Sequence, residues 1–443
     1  MAHPVSTQRD TAGWFSHPRG LSTLFFTEMW ERFSFYGLKA LLILFMTATA
    51  AQGGLGLTDK RAGAIIGAYG FGVYASAIVG GLLADKVLGQ FRSVFLGGII
   101  IALGHFSMAI PTVVTFFLGL FLIMVGTGLL KPNASTMVGA LYDAADARRD
   151  AGFSIFYVGI NVGAFAAPLI VGTLGQEVNW HLGFACAGVG MIIGLIQYVA
   201  GKPRLLPALQ RLGQTERRAA PSTEPWWRFT RDEWGRVAAI VVLFVFSSIF
   251  WGAFEQASSS LNLFADRMTQ NTLFGRDFPS TWYQSLNSMF MIFGLAPLIG
   301  WIWVRMGDRQ PSSPLKFALG LIFVGLGFAL IVPAAGFAQQ GIKVSPWWLI
   351  GLYFLHTVGE LCLSPVGLSI VTKLAPARIV GFMMGWWFLS IAVGNLLAGM
   401  AGGLFQSLPL PKLFGAVAGV TFAAALLLLA ITPWLRRLMG GVR

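Results

Sequence analysis

Residues 21–48 read LSTLFFTEMWERFSFYGLKALLILFMTA. The run is long enough to cross a bilayer as a helix, because about 20 residues rising 1.5 Å each span the hydrocarbon core. It nevertheless contains four charged residues, Glu28, Glu31, Arg32 and Lys39. Charges at that depth are costly and by default indicate function, so the stretch predicts a membrane helix that carries a polar site.

The rest of the chain has the composition of a membrane protein. Apolar residues make up 56% of the 443 residues and charged residues only 11%, whereas soluble proteins have about 25% charged residues. These proportions exclude a soluble enzyme, a disordered chain and a secreted disulfide scaffold. Cys186 and Cys362 both lie in apolar runs, which argues against a disulfide and against a metal cluster.

Apolar runs separated by charged or Pro/Gly-rich breaks predict twelve transmembrane helices. They cover about 21–48, 60–84, 92–110, 112–141, 151–175, 181–201, 236–264, 282–306, 314–336, 346–373, 378–404 and 411–436. The polar stretch 202–235 contains no run long enough to cross a bilayer. We therefore expect an all-α polytopic protein with an N-terminal six-helix bundle (1–201), a cytoplasmic linker (202–235) and a C-terminal six-helix bundle (236–443). That layout is typical of the major facilitator fold.

The net charge of +13 would suggest nucleic acid in a soluble domain, but the positions of the cations indicate topology instead. About 22 of the 31 Lys and Arg residues fall in the termini, the linker and alternate loops, against about 6 in the other loops. The positive-inside rule then places both termini in the cytoplasm. We expect a multi-pass protein of the cell inner membrane that binds no nucleic acid.

Seven acidic or basic residues lie deep inside the predicted spans, away from the span ends: Glu28, Glu31, Arg32, Lys39, Lys131, Glu255 and Glu360. All of them fall on spans 1, 4, 7 and 10, each the first helix of a three-helix unit. This periodicity is expected if the first helices line one central path. A set of structural ion pairs that locks the bundle is the alternative.

Spacing suggests roles for five of these residues. Glu28, Glu31 and Arg32 share one helical face. Arg32 can neutralise one carboxylate, and low-dielectric surroundings favour the protonated form of the other, as a proton carrier requires. Lys39 and Glu255 lie at matching depth on spans 1 and 7, so we expect them to pair when the outer mouth is closed.

Lys131 and Glu360 fall near the middles of spans 4 and 10, in opposite halves of the protein. Such a pair suits a zwitterion, with Glu360 binding an ammonium group and Lys131 a carboxylate. Pro132 and Pro365 follow them, and we expect the helices to deform there. No nucleophile–base set, zinc spacing or phosphate-binding glycine loop is evident, so we expect no enzyme, no metal and no cofactor besides coupling protons.

Three motifs resemble those of the proton-dependent oligopeptide transporter (POT) family within the major facilitator superfamily. Span 1 reads EMWERFSFYG at 28–37, close to the family's ExxERFxYYG, and span 5 reads FYVGINVG at 156–163, similar to FYxxINxG. Span 10 reads GELCLSPVGL at 359–368, with TKLAP at 372–376, and resembles the span 10 signature. The likeness extends from about residue 20 to 436 and includes Phe254-Glu255-Gln256 and Leu286-Asn287.

The resemblance implies a role for each matching residue. Proton coupling would fall to Glu28, Glu31, Arg32 and Glu255. Substrate binding would fall to Lys131, Lys39 and Asn161 for the peptide carboxylate, Glu360 and Asn287 for the amino group, Tyr36, Tyr74 and Tyr157 along the cavity, and Trp387 at a side-chain pocket.

The implied function is import of di- and tripeptides with protons by alternating access, carried out by a monomer in the lipid bilayer. Two alternatives stay open: a family member that moves another small solute, such as nitrate or a peptide-like drug, and a non-transporting sensor or scaffold. The short linker and termini leave little room for a signalling domain.

The sequence departs from the family pattern at several places. Phe35 stands where a tyrosine is usual, which removes a hydroxyl and would alter peptide preference. Lys39 replaces a frequent arginine and loses bidentate reach. Gly67 stands where animal members have a coupling histidine, so coupling here would rest on carboxylates. The linker is too short for the two extra helices of many bacterial members.

Overall fold

Nearly every described residue lies in a helix or in a short turn between helices. The computed structural model describes residues 13–143, 146, 148–218, 229–376 and 379–440. Up to the linker, these residues form α1 (Gly20–Thr47), α2 (Asp59–Leu83), α3 (Gln90–Met108), α4 (Val113–Ala140), α5 (Arg149–Ala167), α6 (Trp180–Ala200) and α7 (Lys202–Arg218). After it they form α8 (Arg231–Phe254), α9 (Ser260–Arg267), α10 (Leu286–Phe290), α11 (Ala296–Met306), α12 (Ser313–Gln339), α13 (Trp347–Leu374), α14 (Val380–Gly403) and α15 (Leu410–Leu438). A two-stranded antiparallel hairpin joins β1 (Thr272–Leu273) to β2 (Arg276–Asp277).

The long helices have the length and composition of membrane spans. Eleven helical runs in the described residues are long and apolar enough to cross a bilayer. The first helix, α1, also has 28 residues but carries four charges. Helices are expected here, because the hydrocarbon core offers backbone N–H and C=O groups no partner except each other. The all-α polytopic fold class is confirmed, and the count of twelve spans stays a prediction.

Two predicted spans of the second half are broken rather than continuous. At the end of α8 a 3-10 turn, Glu255–Ser258, precedes α9. The span predicted at 282–306 consists of a 3-10 turn, the short α10, a π-helical turn and α11. By contrast, α4 and α13 run through Pro132 and Pro365 as single helices. The prolines therefore do not interrupt their helices, and the interruptions fall at Glu255 and beside Asn287.

The polar linker contains a helix. This helix was not predicted, because the linker has no apolar run long enough to cross a bilayer. In α7, Leu205 and Ala208 are fully buried, and the helix packs against α1, α4 and α6. The guanidinium of Arg211 donates hydrogen bonds to the carbonyls of Ala140 and Leu141 at 3.2 and 2.6 Å. These carbonyls end α4 and have no helical partner of their own. Linker residues 219–228 lie outside the described residues.

Helix packing joins the first part of the chain to the second. In the first part of the chain, α1 lies against α5 and α6, and α3 lies against α4 and α6. In the second part, α12 lies against α13 and α15, and α8 lies against α14. The longest contact between the two parts joins α2 to α14. The division into two bundles, at 1–201 and 236–443, remains a prediction.

Glycines allow α2 and α14 to touch through their backbones. A Cβ added at Gly63 would lie 2.4 Å from the carbonyl oxygen of Gly399 and 2.6 Å from the backbone nitrogen of Gly403. A Cβ at Gly399 would lie 2.4 Å from the carbonyl oxygen of Gly63 and 2.7 Å from Cα of Gly67. Small residues commonly permit this close approach in membrane proteins. We refer to these four glycines as the glycine crossing.

We expect Gly399→Ala to lower the melting temperature of the purified protein, because backbone atoms cannot move aside as a flexible side chain can. Overpacking of this kind costs about 1–3 kcal/mol. The matched control is Gly419→Ala in α15, where no atom lies within 4 Å of the added Cβ. Equal melting temperatures for the two variants would contradict the backbone contact.

Candidate functional site

The acidic cluster predicted on span 1 is buried and shares one guanidinium. Glu28, Glu31 and Arg32 are 2%, 0% and 3% exposed. The Nη2 of Arg32 donates to Glu31 Oε1 at 2.6 Å, and its Nε pairs with the other oxygen of Glu31. Glu28 Oε1 lies farther away, 3.3 Å from Arg32 Nε. Glu31 therefore holds the bidentate arrangement that makes Arg–carboxylate pairs strong.

Within the part of the chain that the structure describes, one carboxylate oxygen of Glu28 forms no hydrogen bond. Its Oε2 is buried and has no hydrogen-bond partner among the described residues. An unpaired buried carboxylate oxygen is costly as an anion, whereas a protonated carboxyl group is neutral. Of the two carboxylates, Glu28 is the one whose geometry suits reversible proton binding.

A glycine of α5 fixes the position of this cluster. A Cβ at Gly163 would lie 2.2 Å from the carbonyl oxygen of Met29 and 3.1 Å from Cβ of Arg32. The α5 backbone therefore rests directly on α1 beside Arg32. On the other side, the Arg32 guanidinium lies 4.8 Å from the centre of the Phe35 ring. Phe35, one of the departures from the family pattern, thus contributes a cation–π contact and no hydrogen bond.

Lys131 faces the same cluster from α4. Its Nζ lies 4.4 Å from the centre of the Tyr74 ring, and the charges of Arg32, Glu31, Glu28 and Glu255 act on it. No carboxylate in the described part of the chain forms an ion pair with Lys131. The site therefore contains an ammonium group that is held over an aromatic face and is free to bind an anion.

Glu360 is held by a neighbouring amide. Asn287 Nδ2 donates to Glu360 Oε2 at 2.9 Å and to Thr357 Oγ1 at 3.1 Å. The Thr357 hydroxyl donates in turn to the carbonyl of Tyr353 at 2.7 Å. Thr357 was not among the predicted residues, although it lies one turn before Glu360 on α13. The structure thus brings Asn287 and Glu360 together and adds Thr357 as their support.

Two ion pairs join the first part of the chain to the second. Lys39 Nζ pairs with Glu255 Oε2, as their matching depths predict. Arg267 binds Asp59 through two hydrogen bonds of 2.8 and 3.0 Å, and Asp59 is only 1% exposed. We call the end of the molecule that contains these pairs the outer end. Nothing in the sequence pattern marks Asp59 or Arg267, because each lies at the edge of a span and 208 residues separate them.

Neutral hydrogen bonds close the outer end further. Gln176 donates to Ser280 Oγ at 2.8 Å and accepts from the backbone N–H of Thr281 at 3.0 Å. Asn262 of α9 donates to the carbonyl of Ala40 in α1 at 2.9 Å. Together with the two ion pairs, these contacts hold the outer ends of the two parts together.

The remaining predicted residues are placed as follows. Tyr36 is half-buried and Tyr157 is 40% exposed, and the charge of Glu360 acts on both. Asn161 donates to the carbonyl of Tyr157 within its own helix at 3.0 Å. Trp387 is 3% exposed and packs against Phe317. Tyr36 and Tyr157 therefore adjoin the charged residues, whereas Trp387 belongs to the packed interior in this structure.

The chain forms a polytopic helical bundle whose charges face its interior, and ion pairs between two parts of the chain close one end of it. These features are typical of a secondary transporter. The family model of the POT family matches residues 91–208 and 224–415. The chain belongs to the POT family.

Individual relatives agree with this assignment along almost the whole chain. The chain is 38% identical to the peptide transporter YePEPT of Yersinia enterocolitica over 99% of each sequence. It is 38% identical to a di-/tripeptide transporter of Lactococcus lactis, over 97% of this chain and 98% of that one. A solved structure of a mutant of peptide transporter POT in complex with alafosfalin is 42% identical, with a TM-score of 0.87 over 97% of each chain. The major facilitator fold is thus confirmed by structure as well as by sequence.

We expect Lys39→Met to destabilise the purified protein, because Glu255, whose side chain is 8% exposed, would lose its cation. Breaking a buried pair on one side costs about 3–5 kcal/mol. The double variant Lys39→Met/Glu255→Gln should recover part of the lost melting temperature, and Lys60→Met, an exposed cation on the same side, should change little. A double variant that melts as low as Lys39→Met would show that the two charges are not coupled.

Proposed function

We propose that this protein is a symporter that imports di- and tripeptides together with protons across the cell inner membrane. The observation that carries the proposal is that the described residues of the site include both a cation without an ion-pair partner and a carboxylate held by a hydrogen bond. Lys131 has no ion-pair partner among the described residues, and Glu360 is held by Asn287. A peptide without charged side chains is a zwitterion, and it presents these two residues with the charges opposite to their own.

Recognition of both peptide ends explains how one site accepts many peptides. Lys131, together with Lys39 of α1 and Asn161 of α5, would bind the peptide carboxylate. Glu360 and Asn287 would bind the amino group, while Tyr36, Tyr74 and Tyr157 would line the path. Charge-assisted hydrogen bonds contribute about 1.5–3 kcal/mol each. Affinity would therefore come from groups that every peptide has, and the side chains would contribute little.

Coupling to protons would rest on Glu28. Its unpartnered oxygen can accept a proton without breaking the Arg32–Glu31 pair. Protonation removes a negative charge from the surroundings of Lys131, and this strengthens the hold of Lys131 on a peptide carboxylate. Proton release to an alkaline cytoplasm would reverse the effect. The proton is the only coupling species that the proposal needs.

Alternating access would require the outer ion pairs to open and close. In the arrangement described here, Lys39–Glu255 and Asp59–Arg267 hold the outer end shut. A peptide carboxylate competing for Lys39 would release the first pair. The two halves, 1–201 and 236–443, would then rock about the site, with both termini in the cytoplasm and the monomer as the working unit.

The driving force is sufficient for accumulation. Each proton that enters down 100 mV supplies about 2.3 kcal/mol, or roughly fifty-fold accumulation of a neutral zwitterion at one proton per peptide. Purified protein in liposomes, given an inside-negative and inside-alkaline gradient, should accumulate labelled dialanine. Failure to accumulate it would refute peptide import. Competition by nitrate or peptide-like drugs in the same vesicles would then identify another solute.

We expect Glu28→Gln to abolish gradient-driven uptake of dialanine while exchange of labelled for unlabelled peptide continues. The reason is that the amide cannot carry a proton but leaves the Arg32–Glu31 pair in place. The control is Glu177→Gln, an exposed carboxylate, which should behave as the unmodified protein. Gradient-driven uptake that survives in Glu28→Gln would remove Glu28 from the coupling role.

The two ends of the peptide can be tested separately. Lys131→Gln and Glu360→Gln should each raise the KM for dialanine about 10–100-fold, the loss of one charge-assisted contact. Lys131→Gln should also stop discriminating against dialanine amide, which lacks the carboxylate, while Glu360→Gln should stop discriminating against N-acetyl dialanine. Variants that lose both discriminations equally would contradict the proposed orientation of the peptide.

A further inference from the structure

A cavity lies away from the charged site, at the opposite end of the molecule from the outer ion pairs. The turn between α2 and α3 and one face of the linker helix α7 enclose about 470 Å³. Its lining includes Lys86 from the turn, Arg92 from the start of α3, and Lys202, Leu209 and Leu212 from α7. None of these residues takes part in the proposed transport cycle.

The cavity has an excess of unpaired positive charge. Lys86, Arg92 and Lys202 are exposed, and no carboxylate in the described part of the chain forms an ion pair with any of them. The acidic residue of the lining, Asp85, accepts a hydrogen bond from Gln90 at 3.1 Å. Three cations around one cavity repel each other, so an anion bound among them is favoured.

Apolar surface adjoins the cations on the side of the membrane. Leu82 and Leu83 end α2 and Val87 lies in the π-helical turn that follows it; they are 53%, 41% and 70% exposed. Within the cavity, Leu209 and Leu212 of α7 add an apolar wall, and Leu206 on the same helix is 44% exposed. A ligand that fits this arrangement has an anionic group and long apolar chains attached to it.

We propose that this cavity binds the phosphate-bearing headgroup of an anionic phospholipid. Basic pockets at the cytoplasmic ends of membrane helices characteristically hold such headgroups. Lys86, Arg92 and Lys202 bind the phosphate, and the acyl chains lie along Leu82 and Leu83. Free phosphate shares the charge but has no use for the apolar surface, and it would fill only a small part of the cavity.

Lipid bound here would connect the linker to the first part of the chain. Lys202 begins α7, and its Nζ lies 5.1 Å from the centre of the Phe91 ring at the start of α3. A phosphate held by Lys202 together with Lys86 and Arg92 therefore joins α7 to the α2–α3 turn by an ionic contact. The structure already holds the other side of α7 through Arg211 and α4.

Native mass spectrometry of the delipidated full-length protein tests the proposal. Phosphatidylglycerol is titrated against the unmodified protein, against Lys86→Gln/Arg92→Gln/Lys202→Gln, and against Arg309→Gln/Arg436→Gln/Arg437→Gln. The second triple variant removes the same charge from exposed cations elsewhere. We expect the first triple variant to bind phosphatidylglycerol at least fivefold more weakly than the other two proteins, and all three to bind phosphatidylcholine alike.

Two further measurements keep the test decisive. Equal melting temperatures of the lipid-free variants establish that the cavity variant is folded. The single variant Lys202→Gln should also bind phosphatidylglycerol more weakly than the unmodified protein, by a smaller factor than the triple variant. Millimolar glycerol 3-phosphate should not displace the lipid. Undiminished binding by both cavity variants, or displacement of the lipid by the soluble phosphate, overturns the proposal.

Discussion

The shared guanidinium of Arg32 is the constraint around which the interior is organised. A buried cation and two buried carboxylates must balance one another, because the bilayer offers no water to screen them. Among the described residues, Glu31 takes the bidentate position, Glu28 keeps an unpartnered oxygen, and Lys131 pairs with no carboxylate. The proposed proton coupling follows from this imbalance between one cation and two acids.

The site residues lie in two kinds of helix, long continuous helices and short irregular segments. Lys131 and Glu360 lie within long continuous helices, which hold their charges at fixed depth. Glu255 begins a 3-10 turn and Asn287 belongs to the five-residue α10. The backbone hydrogen bonds of a 3-10 turn have poorer geometry than those of an α-helix. Glu255, which pairs with Lys39, thus lies where the helix changes type. Asn287, which binds Glu360, lies in a short helix between a 3-10 turn and a π-helical turn.

How much the sequence could predict depends on the range of the interaction. A charged residue inside an apolar run is directly visible in the sequence, and depth along a helix is enough to predict that Lys39 pairs with Glu255. The Asp59–Arg267 pair was out of reach, because it depends on how two distant span ends meet. The helix α7 was accessible but missed: Leu205, Ala208, Leu209 and Leu212 have the spacing of an amphipathic helix. An amphipathic helix of this kind contains no apolar run long enough to cross a bilayer.

The glycine crossing has a consequence for how easily the molecule can change shape. Where side chains interlock, one helix can slide past another only after the rotamers on both surfaces have been exchanged. At Gly63, Gly67, Gly399 and Gly403 nothing interlocks, since backbone meets backbone. The side chain of Asn395 in α14, by contrast, fills the space beside Gly70, where an added Cβ would lie 2.4 Å from its Oδ1. Any sliding of α2 against α14 would therefore have to move Asn395, whereas the four glycines have no side chain to rearrange.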